Sequence, residues 1–336
     1  MSDKNTVLHN GRYEGSPFKH YAGVHSIYGS DRYQQFYGIT PNPVTPEDID
    51  FSHPNIIPFL SEKKKVFISL MNGPFHFFHD TLGPTIYMIN QFPDAQYIFD
   101  ASKMYHFDDA YLKHFYTTLY KKKIDFKVLN FKMGDIIVAN NFYIQDTGND
   151  IFDAGNNLYN FFQNDVKNKN VKPFRKIYLS RKKMLTRNYE GVIKPGPSHM
   201  HDDRIINEPL LEKYLSNLGF EIVVPEEFSS FSEQINHYHE TKTVVSVTSS
   251  GLTPACAFMQ PRSNVVELIN TMVVPLERPD PEKLIPAEES LHLFYISLSF
   301  NRDHNFFAIP NKTRKAEDII KKIEESPSMR SVFMED

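Results

Sequence analysis

The chain has 336 residues, of which 40% are hydrophobic, 14% aromatic and 23% charged, with a formal net charge of -4 and one cysteine. That length suffices for two domains with separate cores, the composition is that of a globular protein, and the slight negative charge removes any global attraction to nucleic acid or anionic membrane. The lone Cys256 excludes an intramolecular disulfide and a cysteine-based zinc cluster, and no apolar run reaches the roughly 20 residues of a membrane-spanning helix.

The opening residues, MSDKNTVLHNGRYEG, lack the apolar core of a signal peptide, so a soluble protein that is not secreted is expected. Residues 1–62 are rich in Tyr, Pro, Gly, Asn and His with little periodicity, and read as loops and short strands over a core that follows. KKVFISLM is the first clear strand. After it, NGPFHFFHDTLGPTIYMINQF spaces Phe78, Leu82, Ile86 and Ile89 as one helical face, and Pro93 closes the helix. AQYIFD reads as a strand, DDAYLKHFYTTLYKKK as a helix with Tyr111, Phe115 and Leu119 inward, and IDFKVLNF as another strand; GDIIVANNFYIQD and FDAGNNLYNFFQNDV continue the mixture. Such alternation implies a sheet layered by helices. The polar linker KNKNVKP, Lys167 to Pro173, marks a domain boundary.

In the second half RKIYLS is a strand, and Leu210, Leu211, Tyr214, Leu215 and Leu218 form a helical stripe that Gly219 ends. FEIVV follows as a strand; Ser230 and Glu233 then make a capping box for a helix with Phe231, Ile235 and Tyr238 inward. TVVSVT is nearly all apolar, as a strand buried on both faces of a parallel sheet should be. A turn, the helix LTPACAFMQ and the strand NVVELI complete a β-α-β-α-β-α-β unit over residues 175–270, which should be doubly wound. Cys256, with no histidine near it in sequence, reads as a packing residue. TRKAEDIIKKIEE is an amphipathic helix with Ala316, Ile319, Ile320 and Ile323 inward.

Ligands of open parallel sheets bind beyond the carboxyl ends of the strands. Two turns there carry suitable chemistry. Arg181, Lys182, Lys183 and Arg187 follow the strand KIYL, with Arg204 ahead of the next helix. Thr248, Ser249, Ser250 and Gly251, at the end of the strand TVVSVT, offer hydroxyls and helix-start N–H groups to a phosphate. Arginine's planar fork suits phosphate oxygens. Neither G-x-G-x-x-G nor G-x-x-x-x-G-K-[ST] occurs, so dehydrogenase and P-loop readings lose their main support. A D-x-D, Asp48 and Asp50, follows polar turn residues and reads as a surface match. His76, His79 and Asp80 stand at the head of the first helix, where a metal site, a general base or a plain helix start are all open.

Taken in order, FHFFHDTLGP, KIYLSRKK, RIINEPLLEKYLSNLGFEIVVPEEFSSFSEQINHYHETKTVVSV and SGLTPACAFMQPRSNVVELI resemble glycosyltransferase family 61 over residues 72–92 and 175–270. The resemblance implies the α/β architecture called GT-B, two Rossmann-like domains facing across a cleft, and an inverting enzyme with a UDP-sugar donor and a glycan or glycosylated acceptor. Xylose and N-acetylglucosamine are the sugars it implies, and since plant and animal members usually carry an anchor or secretory signal, a cytoplasmic enzyme of bacterial or viral type is expected. The expected division is an acceptor domain over 1–170, a donor domain over 171–310, and a C-terminal helix over 311–336 that packs back on the first domain. By position Arg181 and Arg204 match the family's diphosphate-contacting arginines, Glu208 its "NE" glutamate and Glu267 the acid of its "vvEl" strand. One departure is plain: where many members have HGAGL, this chain has Thr248, Ser249, Ser250, Gly251 and Leu252. With the leaving diphosphate met by arginine and helix N-termini, no metal or other cofactor is expected, and the base should be His79 or Asp80, Asp80 with His79 as partner being preferred and a neutral His79 equally able to serve, with His76 beside them. Two rivals stand beside this reading: a divalent-metal phosphohydrolase built on His76, His79, Asp80 and the HMHDD run at 199–203, and a non-catalytic glycan-binding protein of the same fold.

Overall fold

The computed structural model describes residues 18–29, 39–70, 77–101, 109–130, 132, 135–145, 154–181, 205–269, 298–311 and 313–334. The chain divides into two compact units, Met1–Leu158 and Tyr159–Asp336.

Among the described residues the first unit contains seven strands: β1 (Phe18–Gly29), β2 (Ile39–Pro43), β3 (Ile56–Phe59), β4 (Lys65–Ser69), β5 (Gln96–Asp100), β6 (Asp125–Leu129) and β7 (Ile136–Gln145). They lie in the order β2-β1-β7-β4-β5-β6, with β3 also pairing β7. From β3 to β7 the strands run parallel, and β1 and β2 are added antiparallel. Helices α1 (Gly83–Gln91) and α2 (Asp109–Lys121) connect β4 to β5 and β5 to β6. Because β7 then returns to the far side of β4, the winding direction reverses between β4 and β7.

β4 is central, and Val66, Phe67 and Ile68 are all buried, which explains its unbroken apolar run. Lys65 is buried too; its amine donates to the backbone oxygen and Oδ1 of Asn140 at 3.0 and 2.6 Å, and to Ser61 O. Burial pulls the pKa of that amine below the ordinary lysine value. Asn141, at φ 46, and Gly23, at φ 86, face each other at a register shift between β1 and β7. Across it the core positions of β7 pass from Ile137 and Ala139 to Phe142 and Ile144.

The stripe of Phe78, Leu82, Ile86 and Ile89 is buried as expected, but it is not one regular helix. A π turn, Phe77–Leu82, runs into α1. Pro84 has no N–H to offer the carbonyl four residues back, so the regular ladder is interrupted here and the wider turn buries both Phe77 and Phe78. β1, twelve residues long, differs from the short strands expected before residue 62.

The second unit contains β8 (Arg175–Leu179), α4 (Glu208–Asn217), β9 (Glu221–Val223), α5 (Phe231–His239), β10 (Thr241–Val247), α6 (Leu252–Phe258), β11 (Asn264–Ile269), β12 (Asn305–Pro310), α7 (Ala316–Glu325) and α8 (Pro327–Met334); α3 (Ala154–Phe162) carries the boundary between the units. All five strands are parallel, in the order β9-β8-β10-β11-β12. Numbered along the chain that order is 2-1-3-4-5, a doubly wound sheet whose switch point lies between β8 and β10.

The second core joins Tyr178, Leu211, Leu215 and Phe220 to Ile319, Ile323 and Phe333. The stripe of the C-terminal helix, expected against the first domain, is thus buried in the second unit's own core. Asn207, in the left-handed region at φ 61, ties the start of α4 to α7 through an Nδ2 hydrogen bond to Glu317 Oε1 at 3.0 Å. The capping box forms with one change. Glu233 N–H donates to Ser230 Oγ at 3.1 Å, but its carboxylate accepts from Ser229 N at 2.8 Å rather than from Ser230. Cys256 is fully buried, and burial pushes its thiol up to about 12, so it remains a protonated packing group.

Two histidines, His239 buried and His304 half-buried, set an acid limit on the second unit. His304 Nε2 donates to Cys256 O at 2.9 Å, and burial lowers His304 to about 4; burial lowers His239 as well. An unfolded chain takes up these protons near pH ~6.5, before the folded one does. Their contribution to stability is therefore complete above about pH 6.5 and is lost as the pH falls toward 4. Urea midpoints should fall over that window, and more gently in His304→Gln; a midpoint independent of pH there would contradict the burial of neutral imidazoles.

Candidate functional site

The register of the second sheet brings three strand ends into line. Ser246 of β10 is opposite Leu179 of β8 on one side and Glu267 of β11 on the other. Arg181 and Thr248 therefore each stand two residues beyond one common rung, at the carboxyl edge of adjacent parallel strands. This is the switch point of the sheet, the position at which doubly wound folds take their ligands.

Arg181 is 8% exposed, unusual for a guanidinium. Burial pulls its pKa down, while Glu208, Glu226 and Tyr178 act in the opposite direction. Three separate elements supply these neighbours: Tyr178 belongs to β8, Glu208 is the first residue of α4, and Glu226 sits in the 3-10 turn Pro225–Glu227 after β9. Tyr178 OH donates to Glu208 Oε1 at 2.6 Å, and the backbone N–H of Arg181 also donates to the Glu208 carboxylate. Burial raises Glu208 above the ordinary carboxyl value against these two donors. The phenol of Tyr178 is raised well above its usual value by burial and by Glu208.

At the end of β10, Thr248 Oγ1 donates to Glu267 Oε1 at 2.7 Å, and both residues are buried. Ser246 Oγ lies 3.3 Å from Ser249 Oγ. Ser249 and Ser250, half-buried, accept the first hydrogen bonds of α6, from Leu252 N at 3.0 Å and Thr253 N at 3.3 Å. A Cβ placed on Gly251 would be 3.6 Å from Pro225 Cγ, so this turn packs against the very turn that carries Glu226. Arg181, Glu208, Thr248, Ser249, Ser250, Gly251 and Glu267 thus gather at one edge of one sheet.

Arg204 lies outside the described residues, as do Lys182, Lys183, Arg187 and the HMHDD run at 199–203. In the first unit His76 and the side chains of His79 and Asp80 lie outside them too. The backbone of 79 and 80 belongs to the π turn that follows β4, the strand at that unit's own switch point.

The D-x-D carboxylates serve local turns. Thr45 Oγ1 donates to Asp48 Oδ2, and Asp50 accepts from Ser52 N at 3.0 Å. They border a cavity of about 580 Å³ with Ser26, Val44 and Ile136, at the amino end of β7 and so away from the carboxyl edge of its sheet. Among the described residues no three His, Cys, Asp or Glu side chains are grouped to hold a metal ion, and no helix is long and apolar enough to cross a membrane.

Tyr178 and Glu226 were not evident from sequence as parts of this cluster. A tyrosine within an apolar strand is a faint signal, since a buried phenol seeks an acceptor. Glu226, in PEEF, looks like any surface acid until the turn packs.

The family model described as Glycosyltransferase 61 matches residues 75–266, from just before the π turn to β11. No curated protein matches the chain.

Replacing Thr248 by Val keeps the shape but withdraws one donor from the buried Glu267 carboxylate. A loss of about 1–3 kcal/mol in denaturant unfolding is expected. An unchanged midpoint would show that the Thr248–Glu267 contact carries no weight.

Proposed function

The chain belongs to glycosyltransferase family 61, and from that membership we propose that it transfers a sugar from a UDP-sugar to a hydroxyl of a glycan, with inversion. Within the GT-B plan that the proposal adopts, the second unit takes the donor and the first serves the acceptor. The acceptor oxygen forms a bond to the anomeric carbon as the bond from that carbon to the diphosphate oxygen breaks. The electron pair leaves with UDP, and the hydroxyl proton passes to Asp80, with His79 as its partner. Arg181 and Arg204, the Thr248–Ser249–Ser250 hydroxyls and the N–H groups entering α6 neutralise the departing diphosphate. Glu208 and Glu267 hold these groups in place. Xylose and N-acetylglucosamine are the donor sugars to try first, and the charge on the leaving group is balanced without a divalent metal.

One observation carries this reading. A buried arginine and a hydroxyl-rich turn follow neighbouring parallel strands at the reversal of strand order. Doubly wound sheets bind nucleotides at that position.

UDP at about one hundred times its Kd should stabilise the protein by ~2.7 kcal/mol, a shift of several degrees in Tm. Arg181→Lys keeps the charge but loses the fork and should reduce the shift, Arg181→Ala should abolish it, and EDTA should leave it unchanged. A wild-type Tm indifferent to UDP and to other nucleoside diphosphates would overturn the donor-site assignment.

A further inference from the structure

Tyr178 fills its place in the second core with a ring that phenylalanine would supply equally well. A buried hydroxyl is unfavourable there unless it is bonded, so the reason for the phenol lies in its contact at 2.6 Å with Glu208 Oε1. Glu208 in turn stands at the first position of α4, where the helix dipole favours a negative charge, and also receives the backbone N–H of Arg181. These contacts close a loop. Tyr178 and Arg181 lie three residues apart on β8 and its exit, and the carboxylate between them comes from the next helix.

We propose that Tyr178 and Glu208 are a positioning pair for Arg181: the phenol fixes the carboxylate, and the carboxylate, which accepts from the Arg181 backbone N–H, holds the strand exit from which the buried guanidinium receives the donor's diphosphate. The inference rests on the donor-site reading above and deepens it. An arginine side chain has several rotatable bonds, and ordering them before the ligand arrives removes that cost from binding. The charged groups that bear on Glu208 come from each element around it. Tyr178 and Arg181 belong to β8 and its exit, and Glu212, on α4 itself, opposes the charge on Glu208. Glu226, in the turn after β9, acts on the same guanidinium, while the nearby Glu317 of α7 is exposed and is held by Asn207.

UDP binding measured by calorimetry from about pH 5 to about pH 8, the span in which carboxyl groups and UDP titrate, tests the pair. Wild type, Tyr178→Phe and Glu208→Gln are compared, so that protonation of UDP itself, common to all three, cancels. Tyr178→Phe is expected to bind UDP about tenfold more weakly, and its loss of affinity on the acid side should begin at a higher pH than in wild type, because the carboxylate has lost a donor that favours its ionised form. Glu208→Gln should bind at least as weakly as Tyr178→Phe and show no acid-side loss beyond that of UDP. A phenol with a purely structural role would lower the unfolding midpoint but leave the pH profile of binding in place. Affinity in Tyr178→Phe within about twofold of wild type with a superimposable pH profile, or tighter binding by Glu208→Gln, would overturn the positioning role and leave the donor site standing. Failure of the wild type to bind UDP or any other nucleoside diphosphate would instead remove the donor site, and the positioning pair with it.

Discussion

A guanidinium withdrawn from water at the end of a strand has to be met by groups that favour its charge, and much of the second unit's local order follows from that requirement. Glu208 at the head of α4, Glu226 in the turn after β9 and Tyr178 on β8 all act on Arg181 in the direction that favours its charge. These residues are far apart in sequence, so the strand, the helix and the turn must all be docked before the charge is compensated. Removing one member while leaving the others buried would cost far more than a surface ion pair, whose typical worth is below about 1 kcal/mol. The same cluster also abuts the Ser249–Gly251 turn, since Gly251 lies against Pro225. Charge compensation and the approach of two strand exits are in this way one structural event.

The sheet explains why the cluster forms at that spot. With β9 on one side of β8 and β10 on the other, the chain goes from β8 and from β10 toward opposite ends of the sheet, which makes the gap between these two strands the switch point. The first unit shows a related reversal between β4 and β7, and the segment containing His79 and Asp80 follows β4 directly. The break in regular helix at Phe77–Leu82, just ahead of Pro84, gives that segment a backbone course that a plain amphipathic helix would not have. Family membership spans both segments, since the matched residues run from 75 to 266.

What was legible beforehand follows a physical division. Strands β4, β5, β8, β10 and β11 appear in the sequence as short apolar runs between polar turns, because each is flanked by neighbours in its sheet. β1 was hidden: FKHYAGVHSIYG mixes aromatic and polar residues, and its alternation breaks at Gly23, where the register shifts. β12 was hidden for another reason, being six residues, NFFAIP, that end in proline at a sheet edge. The helical stripe of α7 was clear, but a stripe says that a face is buried and not against what; here it meets α4. Arg181 could be picked out because a basic residue after a buried strand is conspicuous. Tyr178 and Glu226 could not, since their importance arises only when elements distant in sequence are packed around the guanidinium.

The account depends on the diphosphate of a nucleotide being received where β8 and β10 end. The most direct measurement is a structure of the full chain with UDP bound. The expected result is a diphosphate within hydrogen-bonding distance of Arg181 and of the Thr248–Gly251 turn, with the Tyr178–Glu208 contact kept. A diphosphate bound at any other edge of either sheet, with Arg181 out of its reach, would contradict it.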